Sequence, residues 1–220
     1  VAGLEDNDWR IQAGSAFALA EMGDTVVIDP LRRAIRDKAN RASLPELLRA
    51  IAKIDPVTGP GAIIPHLAHS SGKVRLAARQ ALPEVLSERY VPDLVALHRS
   101  RRTSVRATAL GLLARVPGQG ERVEFFQALG DPEPQVALPA ARHLARIGTA
   151  SVRARLVDMA HSAPMRQGAY AMLSLILLED RHQEVLIQDK GVIRKRAQKF
   201  LVSDDPFYAG TGAIVLANVS

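Results

Sequence analysis

The chain reads as an all-α solenoid of stacked helical hairpins, and three observations predict it. A seven-position grid recurs along the 220 residues. Arg10, Leu44, Arg75, Arg106, Ala137 and Arg166 mark its start, at spacings of 34, 31, 31, 31 and 29 residues. Three positions on stand Ala13, Leu47, Ala78, Ala109, Ala140 and Ala169; seven positions on stand Phe17, Ile51, Leu82, Leu113, Leu144 and Leu173. A small residue one turn before a bulky apolar one, returning at this interval, marks helix pairs that bury a shared face by stacking. The second observation is composition: 47% of residues are hydrophobic but only 4% aromatic, so the apolar content is mostly Ala, Leu, Val and Ile. Small residues let helix backbones approach and Leu fills the seams. The third is that glycine and proline stand at element ends rather than in low-complexity clusters.

Each element follows from local signals. Asp6 or Asp8 can accept hydrogen bonds from the free amides of a first helix that begins at Trp9-Arg10 and ends near Gly23. Asp24-Thr25 opens a second helix through Ile28, Leu31 and Ile35, stopping around Asp37. The second hairpin spans about 43–54 and 60–69, the third Val74 to Leu86 and Val91 to Leu97, and the fourth Val105 to Val116 and Glu121 to Leu129. Pro65 and Pro92 are expected in the first turns of their second helices, where a missing N–H costs little. Asp131-Pro132-Glu133-Pro134 starts the fifth hairpin, Val136 to Gly148 and Ser151 to His161. The sixth begins at Met165-Arg166 and runs through Leu178; a polar segment then interrupts the grid at 179–191. Val192 to Leu201 reads as its delayed second helix, and Ala209, Gly212 and Leu216 as a seventh first helix.

Residues 1–220 are expected to form one array of about six to seven repeats, because a solenoid core grows by addition. Neither end carries a polar cap, so the chain is expected to be a fragment of a longer protein.

Composition narrows the function classes. With no cysteine there are no disulfides, thiolate metal sites or cysteine nucleophiles. No stretch reaches the roughly 18 apolar residues that span a bilayer. The first six residues have neither a basic nor an apolar region, so no signal peptide is visible and a cytoplasmic location is the default. The net charge of +6 admits an anionic partner, although arginine also solubilises an Ala/Leu-rich array.

The run Leu4-x-Asp6-x-Asp8-Trp9-Arg10-x-x-Ala13 resembles the HEAT repeat, and more closely its short variety in phycobilin-lyase-like (PBS lyase) proteins. Val74-Arg75-Leu-Ala-Ala78 and Val105-Arg106-Ala-Thr-Ala109 match best; Ala137 stands where Arg is usual, and Leu44-Pro45 where Val-Arg is. The resemblance covers most of the chain. It implies a right-handed superhelix with second helices on the concave face. It also implies that the repeated Arg10, Arg75, Arg106 and Arg166 bond to neighbouring turns rather than to a ligand, and that Trp9 takes a core position usually filled by Val.

Function lives in sites grafted on such arrays. His66 and His69 lie three apart and share a helix face, but no His-Glu pair accompanies them, so no metal and no cofactor is expected. Arginine clusters on second helices and turns, namely Arg32 and Arg36, Arg99, Arg101 and Arg102, and Arg153 and Arg155, are with His69 the candidate partner-binding residues. Asp93, Glu121, Glu124 and Asp158 interrupt them, and aromatic residues for base stacking are few. Catalytic triads and phosphate loops are absent from the sequence. The expected function is therefore a non-catalytic protein–protein interaction scaffold that docks a partner on its concave face. Two alternatives stand beside it: a nucleic-acid-binding module using the arginines, and an enzyme subunit similar to a bilin lyase.

Overall fold

The computed structural model describes residues 2–37, 41–83, 86–179 and 190–219, and in these the chain is all-α, with no strand. It forms two compact units, Val1–Ser100 and Arg101–Ser220. The irregular segment expected at 179–191 lies, except at its ends, outside the described residues.

In the first unit, α1 (Trp9–Met22) is capped by Asp8, whose carboxylate accepts the Arg10 amide at 2.8 Å, and closes at Gly23 with φ +68°. That left-handed conformation suits a residue without a Cβ. A 3-10 turn, Thr25–Val27, capped by Asp24, leads into α2 (Ile28–Arg36). Next, α3 (Leu44–Ile54) buries Leu44, Leu47, Leu48, Ala50 and Ile51 and packs against both α1 and α2. The second helix of this hairpin splits into α4 (Pro60–Ile63) and a 3-10 stretch, Ile64–Ala68. Pro65 therefore sits at that junction rather than in the first turn; it has no N–H to continue the α ladder, and the tighter winding takes over there. The unit is completed by α5 (Gly72–Ala81) and α6 (Val91–His98), with Pro92 at the start of α6 as expected. Helix α5 stops five residues short of the expected Leu86. Leu82 is extended, with ψ 138°, because Pro83 follows it and a residue before proline is pushed out of the helical region.

In the second unit, the first helices of successive hairpins are α7 (Thr103–Leu113), α9 (Pro134–Ile147), α11 (Met165–Glu179) and α13 (Pro206–Val219). Each packs on the next. The second helices are α8 (Val123–Ala128), α10 (Ala150–Ser162) and α12 (Lys190–Leu201). Thr149 caps α10 by accepting the Val152 amide at 3.2 Å, and Gly148 ends α9 at φ +55°.

The grid positions form the core from the second repeat on. Leu47, Ala78, Ala109, Ala140 and Ala169 are fully buried, as are Ile51, Leu113 and Leu144. The first repeat departs from this. Phe17 is 66% exposed and Trp9 47%, while Gln12, Ala16 and Ala20 form the buried stripe instead. Helix α1 packs mainly on α3 and on the Ala2–Glu5 turn, so its buried face is rotated from the grid. Buried Gln12 is satisfied there: its amide donates to the Asp6 carbonyl at 2.6 Å and its oxygen accepts from Ser43 Oγ at 2.6 Å.

Candidate functional site

The repeated arginines mostly do what the resemblance implies. Arg75 donates to the carbonyls of His69 and Ser70, each at 2.8 Å. Arg106 forms a bidentate pair with Asp131, at 2.7 and 2.9 Å, and also donates to the Arg101 carbonyl. The Asp131 hydrogen bond, outweighing burial, pushes the Arg106 guanidinium further up. Arg166 donates to the Pro132 carbonyl at 2.9 Å. Arg10 does not follow: its side chain is exposed and meets only nearby residues, Asp8 at 3.6 Å and the Trp9 ring at 5.5 Å.

One more arginine has a comparable role that the grid does not indicate. Arg196 on α12 reaches back to the carbonyls at the end of α10, Met159, Ala160 and Ala163. A Cβ on Gly168 would come within 2.8 Å of its guanidinium, so the glycine clears its path. A cation at these carbonyls satisfies groups the helix leaves open and complements its dipole.

A cavity of about 720 Å³ opens in the first unit beside α2 and α4. Its floor is apolar, formed by Ile35, Leu44, Ala62 and Pro65. Around this floor stand Arg32, Arg36, Arg41, His66 and His69, with Asp37 as the one carboxylate of the lining. Of the eight residues singled out from the sequence, Arg32, Arg36 and His69 come together here.

Arg32 is not free. Its guanidinium pairs with Asp55 at 2.8 Å and also bonds Thr58. Asp55, buried at the end of α3, accepts in addition the Thr58 amide at 2.8 Å and the Thr58 hydroxyl. Burial alone would raise its carboxyl; the hydrogen bonds from Thr58, the Arg32 charge and the Gly59 amide together hold it below the usual range. Arg32 is thus a tie between α2 and the α3–α4 turn rather than a solvated ligand-binding cation. Arg36 and Arg41 differ. Both are exposed, and neither makes an ion pair with a described residue. Arg36 occupies the last turn of α2, where its charge suits the helix dipole.

The His66 and His69 rings lie 6.1 Å apart. His69 Nδ1 accepts the Ser71 amide at 3.1 Å. Burial and the neighbouring His69 both hold the His66 imidazole below its ordinary value, so it is neutral near pH 7. No group of three or more metal-ligating side chains occurs among the described residues.

The other candidates stand elsewhere. Arg99 is exposed at the end of α6, and Arg101 and Arg102 are exposed ahead of α7. On α10, Arg153 is half-buried and Arg155 lies over the Phe126 ring at 4.0 Å. Sequence reasoning missed Arg41 as a member of the site. It lies in a turn outside any second helix, and only the fold brings it beside Arg36.

No family profile and no curated protein matches the chain. Solved structures do. An engineered protein is 16% identical, over 88% of this chain and 98% of that one, with a TM-score of 0.48. A designed armadillo repeat protein is 13% identical, over 88% and 100%, with a TM-score of 0.44. The complex of CpcE and CpcF of phycocyanin lyase from Nostoc sp. PCC7120 is 18% identical, over 100% and 92%, with a TM-score of 0.48. The last is of the kind that the repeat grid resembles. Likeness of this degree does not say what this chain binds. Among the described residues, no helix is long and apolar enough to cross a membrane.

Proposed function

We propose that the chain is a non-catalytic interaction module that docks a segment of another protein in the cavity beside α2 and α4. The observation that carries this reading is an open apolar floor bordered by Arg36 and Arg41, two cations that make no ion pair with a described residue. Recognition sites combine apolar area for affinity with a few placed polar groups for orientation. The single hydroxyl of the lining, Thr58, is already held by Asp55 and Arg32, which suits holding a partner rather than reacting with one.

A photo-crosslinking residue tests the docking face. A benzophenone side chain in place of Gly61, an exposed residue of the lining, is expected to capture a discrete protein from nuclease-treated lysate of the source organism. The same group in place of exposed Gln80 on α5, outside the lining, is expected to capture none. Equal capture from both positions removes the reading. The lyase-subunit alternative has its own test: a bilin titration that leaves the absorbance spectrum unchanged eliminates it.

A further inference from the structure

We infer that the docked segment is acidic, with carboxylates that pair with Arg36 and Arg41 and an apolar side chain that fills the floor between them. The inference rests on the docking reading above and adds the chemistry of the partner.

Three observations on the first unit lead to it. First, the lining carries three arginines against one carboxylate, and the Arg32 charge is already neutralised by Asp55 from outside the lining. That leaves Arg36 and Arg41 against Asp37, so the arginines of the lining keep one positive charge in excess. Arginine's planar fork matches a carboxylate bidentately, and partial enclosure by the cavity strengthens the pairing relative to open water. Second, Ile35, Leu44, Ala62 and Pro65 give the lining an apolar part. A ligand that is only charged leaves this area wet, whereas a leucine-sized side chain beside the acidic groups removes it from water. An acidic peptide segment carries both features within a few residues.

Third, several cations of the first unit are engaged within the fold. Arg49 is paired with Glu46 at 3.1 Å and Lys53 with Glu21 at 2.7 Å. Arg75 is bound to the His69 and Ser70 carbonyls, and Arg89 to the Val57 carbonyl at 3.1 Å. A nucleic-acid backbone needs cations in series, each releasing counterions, and aromatic faces for unpaired bases. The lining has no Phe, Tyr or Trp. A compact pair of arginines over an apolar floor fits a short acidic segment instead.

The test uses the whole chain and fluorescence anisotropy with a short labelled peptide in which a leucine is flanked by glutamates. Saturable binding is expected. Replacing the glutamates with glutamine, or the leucine with serine, is expected to weaken it by about ten-fold or more. The double variant Arg36→Gln/Arg41→Gln loses binding to the same extent. A matched pair outside the lining, Lys73→Gln/Arg79→Gln on α5, binds as wild type. Ala62→Phe, which fills the floor, blocks binding without altering either arginine. Equal binding of the glutamine peptide, no binding of any peptide, or full binding by the Arg36/Arg41 variant overturns the inference. So does a random DNA duplex that binds more tightly than the peptide and loses that binding in the same variant. Position 61 crosslinking separates the two claims: capture that persists in the Arg36/Arg41 variant keeps the docking face and removes only its acidic partner.

Discussion

Arginines beside the cavities of the two units meet different fates. In the second unit the structure engages several arginines in the fold itself: Arg106 on Asp131, Arg122 on Glu124 at 2.9 Å, Arg155 on the Phe126 ring, Arg166 on the Pro132 carbonyl, and Arg196 on three carbonyls at the end of α10. Its own basic cavity, about 380 Å³ lined by His161, Lys195, Arg196 and Lys199, has its one arginine committed in this way. In the first unit, Arg36 and Arg41 stand with Asp37 at the edge of a cavity almost twice that size and make no ion pair with a described residue. Identical side chains become staples or docking groups according to what the adjoining turn offers. A turn that presents an aspartate or open carbonyls holds the guanidinium; a turn that presents neither leaves it facing solvent.

The largest effect expected from this contrast is at Arg106→Ala. The pair is largely enclosed, with side-chain exposures of 15% and 8%, so the substitution takes the guanidinium from Asp131 and leaves its carboxylate with the Glu133 amide at 2.9 Å. It is expected to cost about 2–3 kcal/mol in a urea titration, below the full penalty of a deeply buried pair. A loss under about 0.5 kcal/mol, the range of an ordinary surface change, would show that the pair is not a staple.

Histidines sharpen the same comparison at intermediate size. His143 is buried in the second unit. It stacks on Phe125 at 4.0 Å and bonds the Gly120 carbonyl through Nε2 at 3.0 Å, with Arg146 3.4 Å from Nδ1. Burial, reinforced by Arg146 and only partly offset by the Gly120 bond, holds its imidazole below the ordinary value. With the folded value depressed, the unfolded chain takes up the proton first as pH falls. Stability from this group is thus complete above about 6.5 and declines on acidification toward the folded value. His143→Phe, which keeps a ring against Phe125, should flatten that part of the stability–pH curve. An unchanged slope would mean that His143 is not the group responsible.

The smallest effect is expected at the other pole. Arg36→Gln/Arg41→Gln should leave the unfolding midpoint within about 0.5 kcal/mol of wild type, because neither side chain makes an ion pair with a described residue. A loss of about 2 kcal/mol or more, well beyond that surface range, would make these arginines staples as well and dissolve the contrast.

The architecture was legible in the sequence because stacking hairpins must bury the same grid positions at each repeat. From Leu47 and Ile51 to Ala140 and Leu144, burial follows residue type and spacing. Local chemistry was legible too: Asp8 and Gly23 bound α1, and Gly148 ends α9. The early end of α5 was written in Pro83, a nearest-neighbour steric effect that the repeat pattern alone obscures. Exposure of Phe17 was not legible, since a periodic pattern shows which residues can share a face but not whether a neighbouring helix covers it.

For the site, the sequence by itself determined that arginine would be plentiful on second helices and turns, with few aromatics and no cysteine. Only the tertiary structure decided which arginines are engaged. Asp55 lies 23 residues from Arg32 and Asp131 lies 25 from Arg106, while Arg41 reaches the cavity from a turn. A charge is silenced or left active by the few groups within hydrogen-bonding distance, and that neighbourhood is set by how helices stack, not by the order of residues along the chain.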